Sequence, residues 1–141
     1  MQLKVILTIE IILHATEDIT KIQKSLLDIF NINLEDYERE EMTGHFGNPI
    51  IVLKARISKN NTKKIISILI SKISNDDLAI LEQKLDEMET NSGLDIRISK
   101  QDLICGRISF GKRESINLTI TTPVYKKNDI GKIYREILNI R

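Results

Sequence analysis

Leu3, Val5, Leu7, Ile9, Ile11 and Leu13 alternate with Lys4, Thr8, Glu10 and His14, a period of two that predicts a strand with one buried face. The spacing then changes. Ile19, Ile22, Leu26 and Ile29 recur every three or four residues and predict an amphipathic helix ending near Phe30-Asn31. Thr16 is its expected N-cap, with Glu17 and Asp18 at the positive end of the dipole. An acidic loop through Tyr37 follows, then Gly44-His45-Phe46-Gly47-Asn48-Pro49. From there Ile51, Leu53, Ala55 and Ile57 alternate with Lys54 and Arg56 in a second strand. Asn60, Asn61 or Thr62 can cap a helix carrying Ile65, Ile66, Leu69 and Ile73. Ser74, with Asp77 three residues on, opens another helix with Leu78, Leu81, Leu85 and Met88, which Asn91-Ser92-Gly93 should stop.

Leu94, Ile96 and Ile98 alternate with Asp95, Arg97 and Ser99 in a third strand. The stretch 100–106 fits either a short helix or a bent connection, and 111–114 reads as a turn. Ile116, Leu118 and Ile120 form a last strand, ended by Pro123. Asn128 should cap a final helix through Ile130, Ile133, Tyr134, Ile137 and Leu138. The order β-α-β-α-α-β-β-α, with one apolar face per strand, implies an α+β fold. It is a two-layer α/β sandwich: a single sheet of about four strands with helices on one face. The length of 141 residues fits a single domain, 1–141. The other sheet face should be polar and basic, from Lys4, Lys54, Arg56 and Arg97.

Composition narrows the class. Hydrophobic residues make up 41% and charged residues 29%, as in ordinary soluble globular proteins. The longest apolar run, Val5 to Leu13, is interrupted by Thr8 and Glu10 and falls well short of the roughly 20 residues that cross a bilayer. No basic segment and cleavage site open the chain, so a cytoplasmic location without membrane attachment is expected. Charge is uneven: residues 1–93 sum to −4 and residues 94–141 to +5. The acids concentrate in Glu35, Asp36, Glu38, Glu40 and Glu41, whereas Pro49 to Lys72 carries Lys54, Arg56, Lys59, Lys63, Lys64 and Lys72 without one acid. Such polarity lets a near-neutral chain present a basic face to a polyanion.

Catalytic chemistry has little support. The lone Cys105 pairs with no histidine and excludes an intrachain disulfide. His14 and His45 have no metal-ligand partners at the usual spacing. No nucleophile elbow, Walker loop or dinucleotide fingerprint is present, and no cofactor is expected. Gly44-His45-Phe46-Gly47 matches the Gly-x-x-Gly of KH domains but runs into a strand instead of joining helices. The strands lack an aromatic pair for base stacking. A basic surface without stacking platforms suits recognition of RNA backbone or duplex shape.

Three strings together resemble a known family: His14-Ala15-Thr16-Glu17-Asp18, Gly44-His45-Phe46-Gly47-Asn48-Pro49-Ile50, and Arg97-Ile98-Ser99-Lys100-Gln101. They are similar in order and spacing to the archaeal RNA-binding proteins described as predicted exosome subunits, whose fold is likened to double-stranded-RNA-binding domains. The family pattern has Asp at the place of Ser99, and Ala with an aromatic where Asp102-Leu103 stands. The resemblance implies a non-enzymatic RNA-binding protein of archaeal RNA processing, with RNA and the exosome or other processing proteins as partners and a homodimer left open. The expected RNA-binding residues are Lys54, Arg56, Arg97, Lys100, Gln101, His45 and Asn48, with Gly44, Gly47 and Pro49 shaping the loop. Arg97 and Lys100 are expected on the surface, where their removal leaves stability unchanged. The alternatives are a protein-interaction subunit using the exposed sheet face and, third, an enzyme with His45 as acid or base.

Overall fold

The central strand, β1 (Ile6–His14), buries Leu7, Ile9, Ile11 and Leu13 on one face, as the alternation predicts. The computed structural model describes residues 4–14, 16–32, 37–44, 47–88, 93–111, 115–124 and 129–140. Along these the order is β1, α1 (Ile19–Phe30), β2 (Glu38–Thr43), β3 (Pro49–Arg56), α2 (Lys59–Lys72), α3 (Asn75–Asp86), β4 (Leu94–Ser99), α4 (Lys100–Ile104), β5 (Ser115–Thr121) and α5 (Ile130–Leu138). The strands form one sheet in the order β2-β3-β1-β5-β4, and every neighbouring pair is antiparallel.

Register places Leu53 and Ala55 of β3 beside Ile11 and Ile9, and Leu118 and Ile116 of β5 on their other side. Ile96 and Ile98 of β4 continue the same face. Against it pack Ile22, Leu26 and Phe30 of α1, Ile65, Ile66 and Leu69 of α2, Leu81 and Leu85 of α3, and Ile130, Tyr134 and Leu138 of α5, in one cluster. Non-directional burial of this apolar surface is the dominant force holding the helical layer on the sheet.

The α+β two-layer arrangement stands, but the sheet has five strands and not about four, and the expected element order is corrected at two places. β2 was expected to be part of an acidic loop. All six of its residues are exposed, so no hydrophobic alternation betrays it. Pairing with β3, from Glu38 opposite Lys54 to Thr43 opposite Pro49, makes it a strand. The ambiguous stretch after Ser99 is the short helix α4, with the Ser99 hydroxyl accepting from the Asp102 N–H at 3.2 Å.

Caps shift as well. Asp18 and not Thr16 caps α1, its carboxylate accepting from the Thr20 N–H at 3.0 Å. The Thr20 hydroxyl also donates to this carboxylate, and with the Thr20 amide it holds the Asp18 carboxyl below its usual range. Ser58 precedes α2, which therefore starts before Asn60, and no side chain caps it. Ser74 caps α3 as expected, with the Asp77 N–H at 3.1 Å. α3 ends at Asp86, before the expected Gly93 stop. Asn31, with φ of 55°, ends α1 where expected. The expected Asn128 cap and the turn at 112–114 lie outside the described residues.

Candidate nucleic-acid interface

Antiparallel pairing turns three distant strings of sequence into neighbours. His14, the last residue of β1, lies opposite Ile50 at the start of β3. Ser99, the last residue of β4, lies opposite Ser115 at the start of β5, and Ile116 pairs with Ile11. The β1–α1 turn, the β2–β3 hairpin and the β4–α4 junction thus gather at one end of the sheet.

Lys100 ties two of them together. It is only 4% exposed, and its ammonium donates to the Ile12 carbonyl at 2.6 Å and to both Glu17 carboxylate oxygens at 2.9 and 3.0 Å. The expectation of a surface Lys100 free for phosphate is therefore corrected: a long side chain at the first position of α4 reaches inward, where only a carboxylate and a carbonyl offset its desolvation. Gln101, next to it, is exposed. Ser99 and Asp102, the two departures from the family pattern, form the α4 cap together. Ser is as good an N-cap as Asp, so that change preserves the helix start. The Asp102 carboxylate accepts from the Ser109 hydroxyl and from Arg107 at 3.3 Å, which hold it below the ordinary carboxylate range.

Backbone hydrogen bonds close the β2–β3 hairpin. The Gly44 N–H donates to the Asn48 carbonyl at 2.6 Å, and the Gly47 N–H to the Gly44 carbonyl at 3.0 Å. Gly47 has φ of 77°, and a Cβ on Gly44 would come within 2.8 Å of Ile50 Cδ1. Pro49 opens β3, as its missing N–H requires. Gly47→Ala is expected to cost about 1 kcal/mol, because L-residues disfavour that conformation. Urea unfolding checks it: an unchanged midpoint would show that the turn relaxes freely. Asn48 is exposed, and His45 lies outside the described residues.

The remaining expected cations do not form one patch with this end. Arg97 is exposed on β4, opposite Asn117. Lys54 lies mid-sheet, 3.8 Å from the Glu10 carboxylate. Arg56, opposite Thr8, is at the far end. β1 and β5 separate Lys54 from Arg97, roughly 14 Å at ordinary strand spacing.

Nor is the uncovered sheet face basic. Register sets Glu38, Lys54, Glu10, Asn117 and Arg97 in one row across the five strands. Glu40 and Asp95 lie on the same face, so carboxylates interleave with Lys54, Arg56 and Arg97. A shallow concavity there is lined by Glu38, Arg39, Glu40, Val52 and Lys54. The expected polar and basic face is instead polar and charge-balanced, because strand β2 supplies acids that the sequence placed in a loop.

Exposed cations in a stretch of sequence that itself carries no acid run from β3 into α2. Lys54, Arg56, Lys59, Lys63 and Lys64 are all exposed. Lys59, Lys63 and Lys64 stood out in the sequence as part of an acid-free run but not as site residues. The signal that finds them is their place: lysine in and beside the first turn of α2, where the helix dipole favours acids and none is present.

An RNA-binding family model matches residues 6–122, which takes in β1 through β5 and the two junctions described above. An RNA-binding protein of Pyrococcus abyssi is 34% identical over 138 residues, 89% of this chain and 88% of the relative. An uncharacterized protein of Methanocaldococcus jannaschii is 31% identical over 134 residues, 86% of this chain and 89% of its own. Among solved structures, a DUF54 protein of Methanothermobacter thermautotrophicus superposes with a TM-score of 0.73 at 25% identity, covering 94% of this chain and 96% of that one. A protein of Archaeoglobus fulgidus gives 0.78 at 24% identity over 95% and 99%, a likeness of fold. The chain belongs to this family of RNA-binding proteins, which has archaeal members.

Proposed function

We propose that the chain binds RNA through the sugar–phosphate backbone and duplex shape, without a catalytic step, in archaeal RNA processing. Family membership supplies RNA as the ligand. The observation that selects the mode is the make-up of the uncovered sheet face. Apart from His14, its described positions are aliphatic, hydroxyl, amide, thioether or charged: Thr8, Glu10 and Ile12 on β1, Val52, Lys54 and Arg56 on β3, Asn117 and Thr119 on β5, Met42 on β2. Modules that read single strands stack bases on pairs of aromatic side chains, and beyond the single His14 the described positions of this face offer none. Cations at the sheet margin and on the helical layer can instead meet phosphates. Arg56 and Arg97 retain exposed guanidinium groups, and Gln101, Asn48 and His45 are the proposed polar contacts.

Binding is expected to follow salt, with a log–log slope of roughly −3 for four phosphate contacts. Fluorescence anisotropy over a salt series checks this, with duplex RNA, duplex DNA and single strands of equal length. A salt-independent Kd, or strong discrimination among single-stranded sequences, contradicts the proposal. Association with the exosome and a cytoplasmic location belong to the same proposal; co-purification of exosome subunits with a tagged chain from archaeal cells tests the first. Among the described residues no helix is long and apolar enough to cross a membrane.

A second reading, a protein-interaction subunit, draws on Ile12 and Met42, 43% and 54% exposed on the uncovered face beside Ile50 and Val52. A homodimer through this face belongs to that reading. Sedimentation of Ile12→Asp against the native chain decides it.

A further inference from the structure

We infer that the phosphate-binding surface is the junction of β3 and α2, where Arg56, Lys59, Lys63 and Lys64 take the backbone of duplex RNA. This rests on the RNA-binding reading above and names its site. The first support is the absence of compensation. Five cations elsewhere among the described residues are ion-paired: Lys54 with Glu10, Lys100 with Glu17, Arg107 with Asp102, Arg135 with Asp86 and Arg39 with Glu41, and none of the four proposed here belongs to these pairs. Arg56, Lys59, Lys63 and Lys64 are exposed, in a stretch from Pro49 to Lys72 that contains no acid. At the same sheet end Asp95 accepts from the Thr119 hydroxyl at 2.8 Å and lies three strands from Arg56, while Glu38 on the neighbouring strand lies opposite Lys54.

The second support is energetic. α2 carries no acid in its first turn, no side chain caps it, and Lys59 is its first residue. Lysine there opposes the helix dipole, and Lys59 with Lys63, one turn apart, forms a like-charge pair at the spacing where such pairs repel. A sequence that keeps Lys59 at the unfavourable helix start, with Lys63 one turn on, is suited to a ligand that supplies the missing negative charge. Lys59 and Lys63 stand ~6 Å apart along the axis, a separation comparable to neighbouring phosphates of one strand. Arg56, at the end of β3, extends the row onto the sheet margin.

The test pairs affinity with stability. The probe is a blunt duplex RNA of about 20 base pairs, with a poly-glutamate of similar charge as competitor. Lys59→Glu/Lys63→Glu is compared with Lys24→Glu/Lys132→Glu, an equal charge change on exposed positions of α1 and α5. The first variant should bind at least tenfold more weakly, with the salt slope flattened by roughly 1.4 to 1.8. It should melt no lower than the native chain and up to about 4 °C higher, because an acid at position 59 suits the helix start while the new acid pair repels as the lysine pair did. The control should keep its affinity within about threefold. Loss of RNA affinity without a lowered melting temperature supports the inference and excludes misfolding as its cause. If the native chain binds the duplex and both variants bind it alike, the inference is overturned while RNA binding stands. If the native chain does not bind the duplex, the RNA-binding reading itself fails. Competition by poly-glutamate at the same charge concentration as RNA would overturn the inference by showing a surface indifferent to phosphate.

Discussion

Lys100→Ala is expected to melt about 10–20 °C below the native chain, the reverse of what a surface lysine would do. The ammonium is buried and serves three acceptor atoms, the Ile12 carbonyl and the two Glu17 oxygens. Removing it leaves a half-buried carboxylate without its counter-charge and a strand carbonyl without its donor. Breaking a buried pair from one side costs about 3–5 kcal/mol, and at this chain length each kcal/mol moves the melting temperature by roughly 3–4 °C. Lys100→Met/Glu17→Leu should recover part of the loss, since no charge is then stranded, but not all, because the Ile12 carbonyl still lacks a partner. Differential scanning calorimetry of Lys100→Met, Glu17→Leu and the pair gives the coupling directly. If Lys100→Ala melts with the native protein, the ammonium is not held between Glu17 and Ile12, and the link between the β1–α1 turn and the β4–α4 junction is wrong.

The same residue shows what the sequence could and could not reveal. Alternation along β1, β3, β4 and β5 exposed the apolar sheet face because burial there is one-sided and the period is two. The stripe Ile19, Ile22, Leu26 and Ile29 did the same for α1, although Phe30 and not Ile29 is its last buried residue. β2 was hidden because an edge strand with every side chain in solvent needs no hydrophobic pattern. Its pairing is written in β3 and in the Gly44–Asn48 turn, so only the long-range register reveals it. That omission also misplaced part of the electrostatics: Glu10 and Asp95 already alternate onto the uncovered face, and β2 adds Glu38 and Glu40 to it. The three strings were legible as motifs, yet nothing local says that Glu17 and Lys100, 83 residues apart, form an ion pair. Parity along β4 correctly sent Arg97 outward, but parity stops at Ser99, where the strand becomes α4 and Lys100 turns into the protein.

Tyr134→Ala is expected to lose about 3–5 kcal/mol, with Tyr134→Phe losing about 1–2 kcal/mol. Tyr134 is fully buried at the middle of α5, between Ile130 and Leu138 on the face that meets the core. Its ring fills that face, and its hydroxyl is hydrogen-bonded to the backbone of Thr122, just beyond β5. The alanine variant empties a ring's volume from a close-packed layer, whereas the phenylalanine variant removes only the polar link and strands the backbone group it served. The two also separate in alkali. Burial raises the Tyr134 phenol above its ordinary value of 10.0, with the Thr122 hydrogen bond pulling weakly the other way. Below pH 10 the group is protonated in both states, so its contribution is fully present. Above that, the unfolded chain releases the proton while the folded chain retains it, and stability falls as pH rises through the folded value. Tyr134→Phe lacks this component, so its stability should decline less steeply than the native chain's from pH 10 upward, although it starts lower at pH 7. Urea midpoints measured at intervals from pH 7 to 11 check both statements. Parallel curves for the native chain and Tyr134→Phe would mean that the phenol is as well solvated folded as unfolded, and the packing of α5 on β5 would have to be redrawn.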